Sequence, residues 1–343
     1  MRPALILAAS LFLPTPAFAA SVDVVMSGLD NPRGLAFAPD GALYVTEAGR
    51  GGASPCISMR GIAACYGPTG AVSRLHRGRQ ERVVEGLPSI ADAAGTETGG
   101  PNDISFQGNV GYVTIGFAGV APAMRSEFGA AGKVFGHLLR LNPGGTWQVV
   151  ADVSAHEQAT NPAGGPIETN PFAVLAEPGA RLVTDAAGNS LLRVAADGSI
   201  TTVATFLSRP FAATDAVPTG FARGPDGAIY LGQLTGVPFA DGAANIFRIA
   251  PGESPTVWQS GFKTIIDLDF AADGSLYVLQ HATGPLFFAG PGQVIRIAPD
   301  GSRAVVFGGL DRPTSLAVGP DGALYVANRG VTAMAGEVLR IVP

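Results

Sequence analysis

The chain has 343 residues, 47 of them Gly and 27 Pro, with only 14% charged side chains and a formal net charge of −5. No basic stripe supports nucleic-acid binding, and no later apolar run approaches the roughly twenty residues of a spanning helix. The Gly and Pro content suits tight turns around buried strands better than long helices.

In chain order, residues 1–20 read as an export signal. Arg2 is followed by the apolar stretch ALILAASLFL and by small residues at Ala17 and Ala19, which places cleavage near Ala19 or Ala20. The mature protein, residues 21–343, is therefore expected in the periplasm or outside the cell as a single domain. The next stretch, VDVVMSGLDNP from 22, matches RAVVFGGLDRP from 303 almost position for position. It is a strand (22–30) without a partner nearby in sequence.

Six segments then share one pattern of strand, P-D-G-type turn and strand. They are PRGLAFAPDGALYVTEAG from 32, PNDISFQGNVGYVTIG from 101, NPFAVLAEPGARLVTDAAG from 170, VPTGFARGPDGAIYLGQLTG from 217, IIDLDFAADGSLYVLQHATG from 265 and RPTSLAVGPDGALYVANRG from 312. A third strand carrying an Arg follows each, at positions 74, 140, 193, 248, 296 and 340, and five copies continue into a fourth. Aligned on Tyr44, Tyr112, Leu182, Tyr230, Tyr277 and Tyr325, the copies are 68, 70, 48, 47 and 48 residues apart. Four strands in about 48 residues, repeated radially, make a β-propeller blade. The fold class is all-β, a six-bladed propeller. The sixth copy lacks its fourth strand, and 22–30 is expected to supply it, closing the ring and hiding sheet edges.

The first two copies carry about twenty extra residues. Cys56 and Cys65 lie in the first of these stretches. In an exported chain such a pair is a disulfide, worth roughly 2 to 3 kcal/mol on the chain-entropy estimate. The P-D-G residues Asp40, Asp226 and Asp321 serve hairpin turns. The recurring third-strand Arg is expected to face solvent or a neighbouring blade.

In a propeller the start of the first strand, the end of the second and the longer connections share one face. Polar residues at those positions define a channel mouth: Arg33, Asn102, Asp103, Asn170, Thr219 and Asp267 on the first strands, and Glu47, Asp185, Gln233, Gln280 and Asn328 ending the second, with His281 beside Gln280. The longer connections 48–70, 88–100, 116–136, 152–169 and 207–217 fall on the same face, where binding usually resides. Carboxylates with amide and backbone oxygens suit a hard cation such as Ca2+, and Glu47, Asn102 and Asp267 are the candidate ligands. The competing reading has these carboxylates accepting loop amides and Glu47 paired with Arg33. His281 and His156 are the only histidines placed for acid-base chemistry, and no Ser-His-Asp spacing stands out.

The stretches GLDNPRGLAFAPDGALYVTEAGRGG with the following PC, CYGPTGAVSRL, GRQERVVEGLPS, NPFAVLA, QLTGVPFADGAANIFRI, IIDLDFAADGSLYVL and GPDGALYVANRG resemble the ScyD/ScyE family of exported bacterial proteins over nearly the whole mature chain. The resemblance implies a secreted six-bladed propeller without a defined activity. A broader likeness is to gluconolactonase and strictosidine-synthase-like propellers, whose lactonase members hold a divalent cation at the channel mouth. That likeness implies binding roles for Asn102, Asp267 and Asn170, while the family's Glu at the start of the first blade is replaced by Arg33. The favoured function is binding of a small molecule or protein partner at the loop-rich face by a monomer. The alternative is a metal-dependent lactonase or esterase in which Asn102, Asp267 and Glu47 hold the ion.

Overall fold

The computed structural model describes residues 20–343 except 60, 118 and 209–211; the export-signal reading of residues 1–19 lies outside the described residues. Six antiparallel sheets stand around one axis, with the strands of each blade following one another from axis to rim. The innermost strands are Pro32–Phe37, Pro101–Gln107, Pro171–Glu177, Pro218–Arg223, Ile265–Phe270 and Ser315–Val318. Each contacts the inner strand of the next blade, around the full ring.

The repeat marks the register. In all six blades the second-strand Tyr or Leu pairs directly with the third-strand Arg: Tyr44 with Arg74, Tyr112 with Arg140, Leu182 with Arg193, Tyr230 with Arg248, Tyr277 with Arg296 and Tyr325 with Arg340. In three blades this Arg also reaches the acid of its own first turn, at 2.7 Å for Arg248–Asp226, 3.0 Å for Arg296–Asp273 and 2.8 Å for Arg340–Asp321. It is therefore a tie within the blade and partly exposed. The turn acids also cap their hairpins, as Asp40 does by accepting from the Ala42 N–H at 3.1 Å.

The core fills the wedges between blades. The structurally equivalent Leu35, Ile104, Val174, Phe221, Leu268 and Leu316 are all buried, because alternation along a strand sends one side chain in two into each wedge. The ring closes as expected: Ser21–Leu29 pairs antiparallel with Gly336–Val342 and becomes the rim strand of the sixth blade. Met26 and Leu29 of this strand pack against Ala327 and Val338 of blade six and Leu43 and Val45 of blade one.

The extra length in blades one and two extends the wedge core between them upward from the ring. The third and fourth strands of blade one run on as Ile62–His76 and Arg79–Asp92 and gain the short strands Cys56–Met59 and Thr98–Gly99. Cys56 and Cys65 face each other across this ladder and are disulfide-bonded. Tyr66 packs with Phe128 and Phe135 from the blade-two extension, where Phe117 and Phe135 stack at 5.2 Å. Gly67 is required here because a Cβ at that position would run into the Gly51 backbone. The connection 152–169 is not all loop: Val153–Thr160 is helical, capped by the Asp152 side chain accepting from the Ala155 N–H at 2.9 Å.

Met26 is 2% exposed at the closing seam. Met26→Ala is expected to cost about 2 to 5 kcal/mol of stability, measured as a lower denaturation midpoint with an unchanged slope. A loss below about 0.5 kcal/mol would mean that the seam does not carry the ring.

Candidate functional site

At the channel mouth most of the predicted polar residues have partners in their own chain, arranged by a simple rule. Inner strands have no neighbour on their axial side, so their ladders leave backbone groups to be satisfied otherwise. Short polar side chains of one blade reach the inner strand of the next. Asn102 donates to the Pro171 carbonyl at 2.9 Å, Thr219 to the Ile265 carbonyl at 2.7 Å, and Thr314 to the Pro32 carbonyl at 2.7 Å. Thr46 and Thr184 tie two more junctions through the carbonyls of Asn102 and Thr219.

The carboxylates work in the same direction. Asp103 accepts from the Val174 N–H at 2.8 Å, while Asp267 accepts from Leu316 N–H at 2.9 Å and Ser315 Oγ at 2.6 Å. Asp269, two residues on and on the same face of the strand, accepts from the Val318 N–H at 2.9 Å. Gly34 and Gly220 make room for Asp103 and Asp267: a Cβ at either glycine would collide with the neighbouring Asp side chain and Cα.

Asp103 and Asp267 belong to blades two and five, which face each other across the axis. Burial, then the charge of Asp267, holds the Asp103 carboxyl well above the usual carboxylate range. Burial pushes Asp267 up to about 7 and Asp269 to about 6, against the hydrogen bonds that favour their ionised forms.

Of the residues ending the second strands, Glu47, Asp185, Gln280 and Asn328 staple the connection entering their own blade, while Gln233 holds the third strand. Glu47 is fully buried and accepts from Asp30 N–H at 2.7 Å and Ser73 Oγ at 2.6 Å, with Arg82 at 2.7 Å. Asp185 accepts from the N–H groups of Asn170 and Gly188 and from Thr169 Oγ1. Gln233 accepts from Asn245; Gln280 donates to the Lys263 carbonyl and accepts from Gln293; Asn328 accepts from Asp311 N–H and donates to Glu337. Asn170 accepts from Asn102 Nδ2 at 3.2 Å and from Phe117 N–H at 3.2 Å.

The expected Arg33–Glu47 pair is not formed. Glu47 is taken by Arg82, a rim-strand residue of its own blade, while Arg33 turns the other way to the Gly330 carbonyl and Thr98 Oγ1. Burial lowers the Arg33 guanidinium to about 10 against the opposing charge of Glu97. Glu47, Asn102 and Asp267 thus have three separate partner sets, with both Glu47 oxygens spent on Arg82 and neighbours. They do not fit a shared cation, and among the described residues no three His, Cys, Asp or Glu side chains converge as one.

An apolar sector of the mouth, which the sequence did not single out, is built by two connections. The connections Leu234–Ala243 and Ala282–Pro291 pair through Phe287 N–H on the Pro238 carbonyl at 2.8 Å. They leave Val237, Leu286 and Phe287 54%, 49% and 56% exposed. Beneath them Phe239 and Phe288 stack at 4.3 Å, and the His281 ring meets Phe288 edge-on at 4.9 Å. His281 is held by the Pro313 carbonyl at 2.8 Å; burial first, with Arg312 and Arg33 adding to it, lowers its pKa to about 4. His281 is therefore neutral at physiological pH. His156 lies in the helix at the blade-three rim, 3.4 Å from Thr202 Oγ1. A cavity of about 800 Å3 is a groove between blades three and four lined by Glu177, Arg193, Arg223, Gly227 and Ala250–Pro255, on the hairpin-turn side away from the mouth. It is the outward opening of an inter-blade wedge.

No family model and no curated protein matches the chain. Solved structures do. An oxidoreductase described as a glucose dehydrogenase from Thermus thermophilus superposes with a TM-score of 0.58 at 20% identity, covering 94% of this chain and 100% of that one. A gluconolactonase from Xanthomonas campestris gives 0.54 at 13% identity, covering 94% and 90%. A streptogramin B lyase gives 0.53 at 13%, covering 94% and 97%. The chain shares the six-bladed propeller fold with them.

The raised carboxyl group of Asp267 makes a signed prediction. The folded state holds its proton to about pH 7 whereas the unfolded chain releases it near 4, so this group's contribution to stability falls as pH rises between those values and is flat above. Asp267→Asn removes that slope. The difference in unfolding free energy between wild type and variant, from urea titrations at about pH 4 and about pH 8, is expected to move in the variant's favour at the higher pH; a pH-independent difference would refute the raised value.

Proposed function

We propose that the protein is an exported, non-catalytic propeller of the ScyD/ScyE type that binds a small molecule at the mouth, over the loops of blades four and five. The single observation that carries this is the exposed apolar sector Val237, Leu286 and Phe287, held by paired loop backbones on a stacked aromatic base. Exposed apolar surface fixed by structure rather than scattered singly marks interaction sites. The cationic groups felt by His281, Arg33 and Arg312, supply the polar end. A ligand with a planar apolar body and an acidic group would use both. Export is supported by the disulfide, a bond that persists in oxidising compartments.

A second reading, a divalent-metal-dependent lactonase or esterase, draws on Asp103 and Asp267 facing each other and on gluconolactonases among the structures that share the fold. It is the weaker one because the hydrogen bonds of those carboxylates go to neighbouring inner strands and His281 is committed to Pro313.

Anilinonaphthalene sulfonate, an aromatic anion, is a direct probe. Saturable binding to the native protein is expected, weakened about tenfold or more by Phe287→Asp and also by Arg33→Gln. Binding that ignores both substitutions would place the site elsewhere. Lactone hydrolysis that requires added Ca2+ and vanishes in Asp267→Asn would favour the enzyme over the binding protein.

A further inference from the structure

The equivalent buried carboxylates of blades one and three are neutralised differently. In blade one, Glu47 ends the second strand and Arg82 supplies the countercharge. In blade three, Asp185 holds the same register position and is fully buried, yet no cationic side chain reaches it among the described residues. What faces it is a second acid. Glu157, on the helix Val153–Thr160, is 2% exposed, and its Oε1 has no partner.

The two carboxyl groups converge over Gly188. A Cβ built on that glycine would lie 2.8 Å from Glu157 Oε2 and 3.0 Å from Asp185 Oδ2, so the space between the acids is what keeps residue 188 without a side chain. Ser190 stands directly opposite Asp185 in the ladder, so the two side chains leave the same face of the sheet. Ser190 Oγ is fully buried and also without a partner. Asp185 Oδ1 accepts from the N–H groups of Asn170 and Gly188, and Oδ2 accepts from Thr169 Oγ1 at 2.8 Å; a carboxylate oxygen with one such bond keeps lone-pair capacity.

Two buried acids, one with an unpartnered oxygen, and an unpartnered hydroxyl paired across the ladder from one of them leave an unmet need for positive charge and for a Lewis acid. Leaving a charge buried without a partner is strongly destabilising, and the ligands are all oxygen, which selects a hard ion over zinc or copper. We propose that this pocket in blade three is a binding site for one hard divalent cation of the calcium class, held by Glu157, Asp185 and Ser190. The ion takes the place that Arg82 fills in blade one and pins the helix 153–160 to the sheet. The pocket lies on blade three, where Asp185 marks the edge of the mouth, apart from the blade-four and blade-five loops, and it does not depend on the function proposed for those loops. In the metal-free protein, burial and the neighbouring Asp185 push Glu157 up to about 8, so the pair then shares its charge with a proton.

The test uses the full mature chain stripped with a chelator and titrated with CaCl2 by calorimetry, with thermal melts alongside. A stoichiometry near one and a melting point that rises with CaCl2 are expected. Glu157→Gln is expected to weaken binding at least about tenfold while leaving the metal-free melting point equal or higher, since it removes an uncompensated acid; Ser190→Ala should weaken binding to a smaller extent. Asp267→Asn should bind calcium as wild type does, which separates this pocket from any ion at the mouth. No heat and no shift at millimolar calcium or magnesium would overturn the proposal, leaving a proton as the only neutralising partner. Equal binding by wild type and Glu157→Gln would also overturn it, with loss in Asp267→Asn moving the ion to the channel.

Discussion

The structure depends on one constraint: the axial edge of every inner strand has no neighbouring strand to pair with. A buried backbone donor or acceptor without a partner costs about as much as a lost hydrogen bond, and six inner strands present these groups to a space too narrow for another strand. The chain answers with short side chains that always reach forward to the next blade. Thr46 spans blades one to two, Asn102 and Asp103 two to three, Thr184 three to four, Thr219 four to five, Asp267 five to six and Thr314 six to one. The same bonds that satisfy the edges therefore stitch the ring, including the junction where the two chain ends meet.

This accounts for what was legible in the sequence and what was not. The blade count and the closing strand follow from a repeat whose spacing is written six times, and the match of 22–32 to 303–313 identifies the partner of the N-terminal strand directly; the tie of the third-strand Arg within its own blade does not follow from the repeat. The place of Asn102, Asp103 and Asp267 follows from the same repeat. Their engagement does not, because a polar side chain beginning an inner strand has the same appearance whether it meets a ligand or the carbonyl of the next blade. Glu47 illustrates the limit: Arg33 is nearer in sequence, but Arg82 comes from the rim strand of the same sheet, which pairing brings alongside. Period-two spacing in IIDLDF would have put Asp269 beside Asp267. Glu157 had no comparable signal, since its helix interrupts a connection that lies outside the repeat.

Two departures from six-fold repetition have opposite character. Blades one and two carry an extension with an aromatic cluster, a disulfide and glycines that permit backbone contact. Its apolar side chains, Phe117, Phe128 and Phe135, are turned inward and buried. Blades four and five carry short loops whose apolar side chains are turned outward. An insertion that buries its own aromatic residues is complete as a structure, whereas one that fixes Phe287 and Leu286 in solvent is not. Ordering exposed apolar side chains costs conformational entropy without return from burial, so the blade-four and blade-five loops are where a partner would supply the missing burial.

The channel acids fit this division of labour. Opposed carboxyl groups with raised pKa values are a recurring mark of catalytic sites, but the mark also arises where acids serve as hydrogen-bond acceptors in a confined space. What separates the cases is whether an oxygen remains to act on something else. Asp103 and Asp267 each spend oxygens on backbone N–H groups of the next inner strand, so recruiting either into chemistry would unpair that strand. The seam between blades two and three, or five and six, would then be weakened at each turnover. A scaffold that ties its blades together through these acids is better suited to holding a rigid rim than to lending the acids to a reaction, which agrees with the proposal that recognition belongs to the loops above.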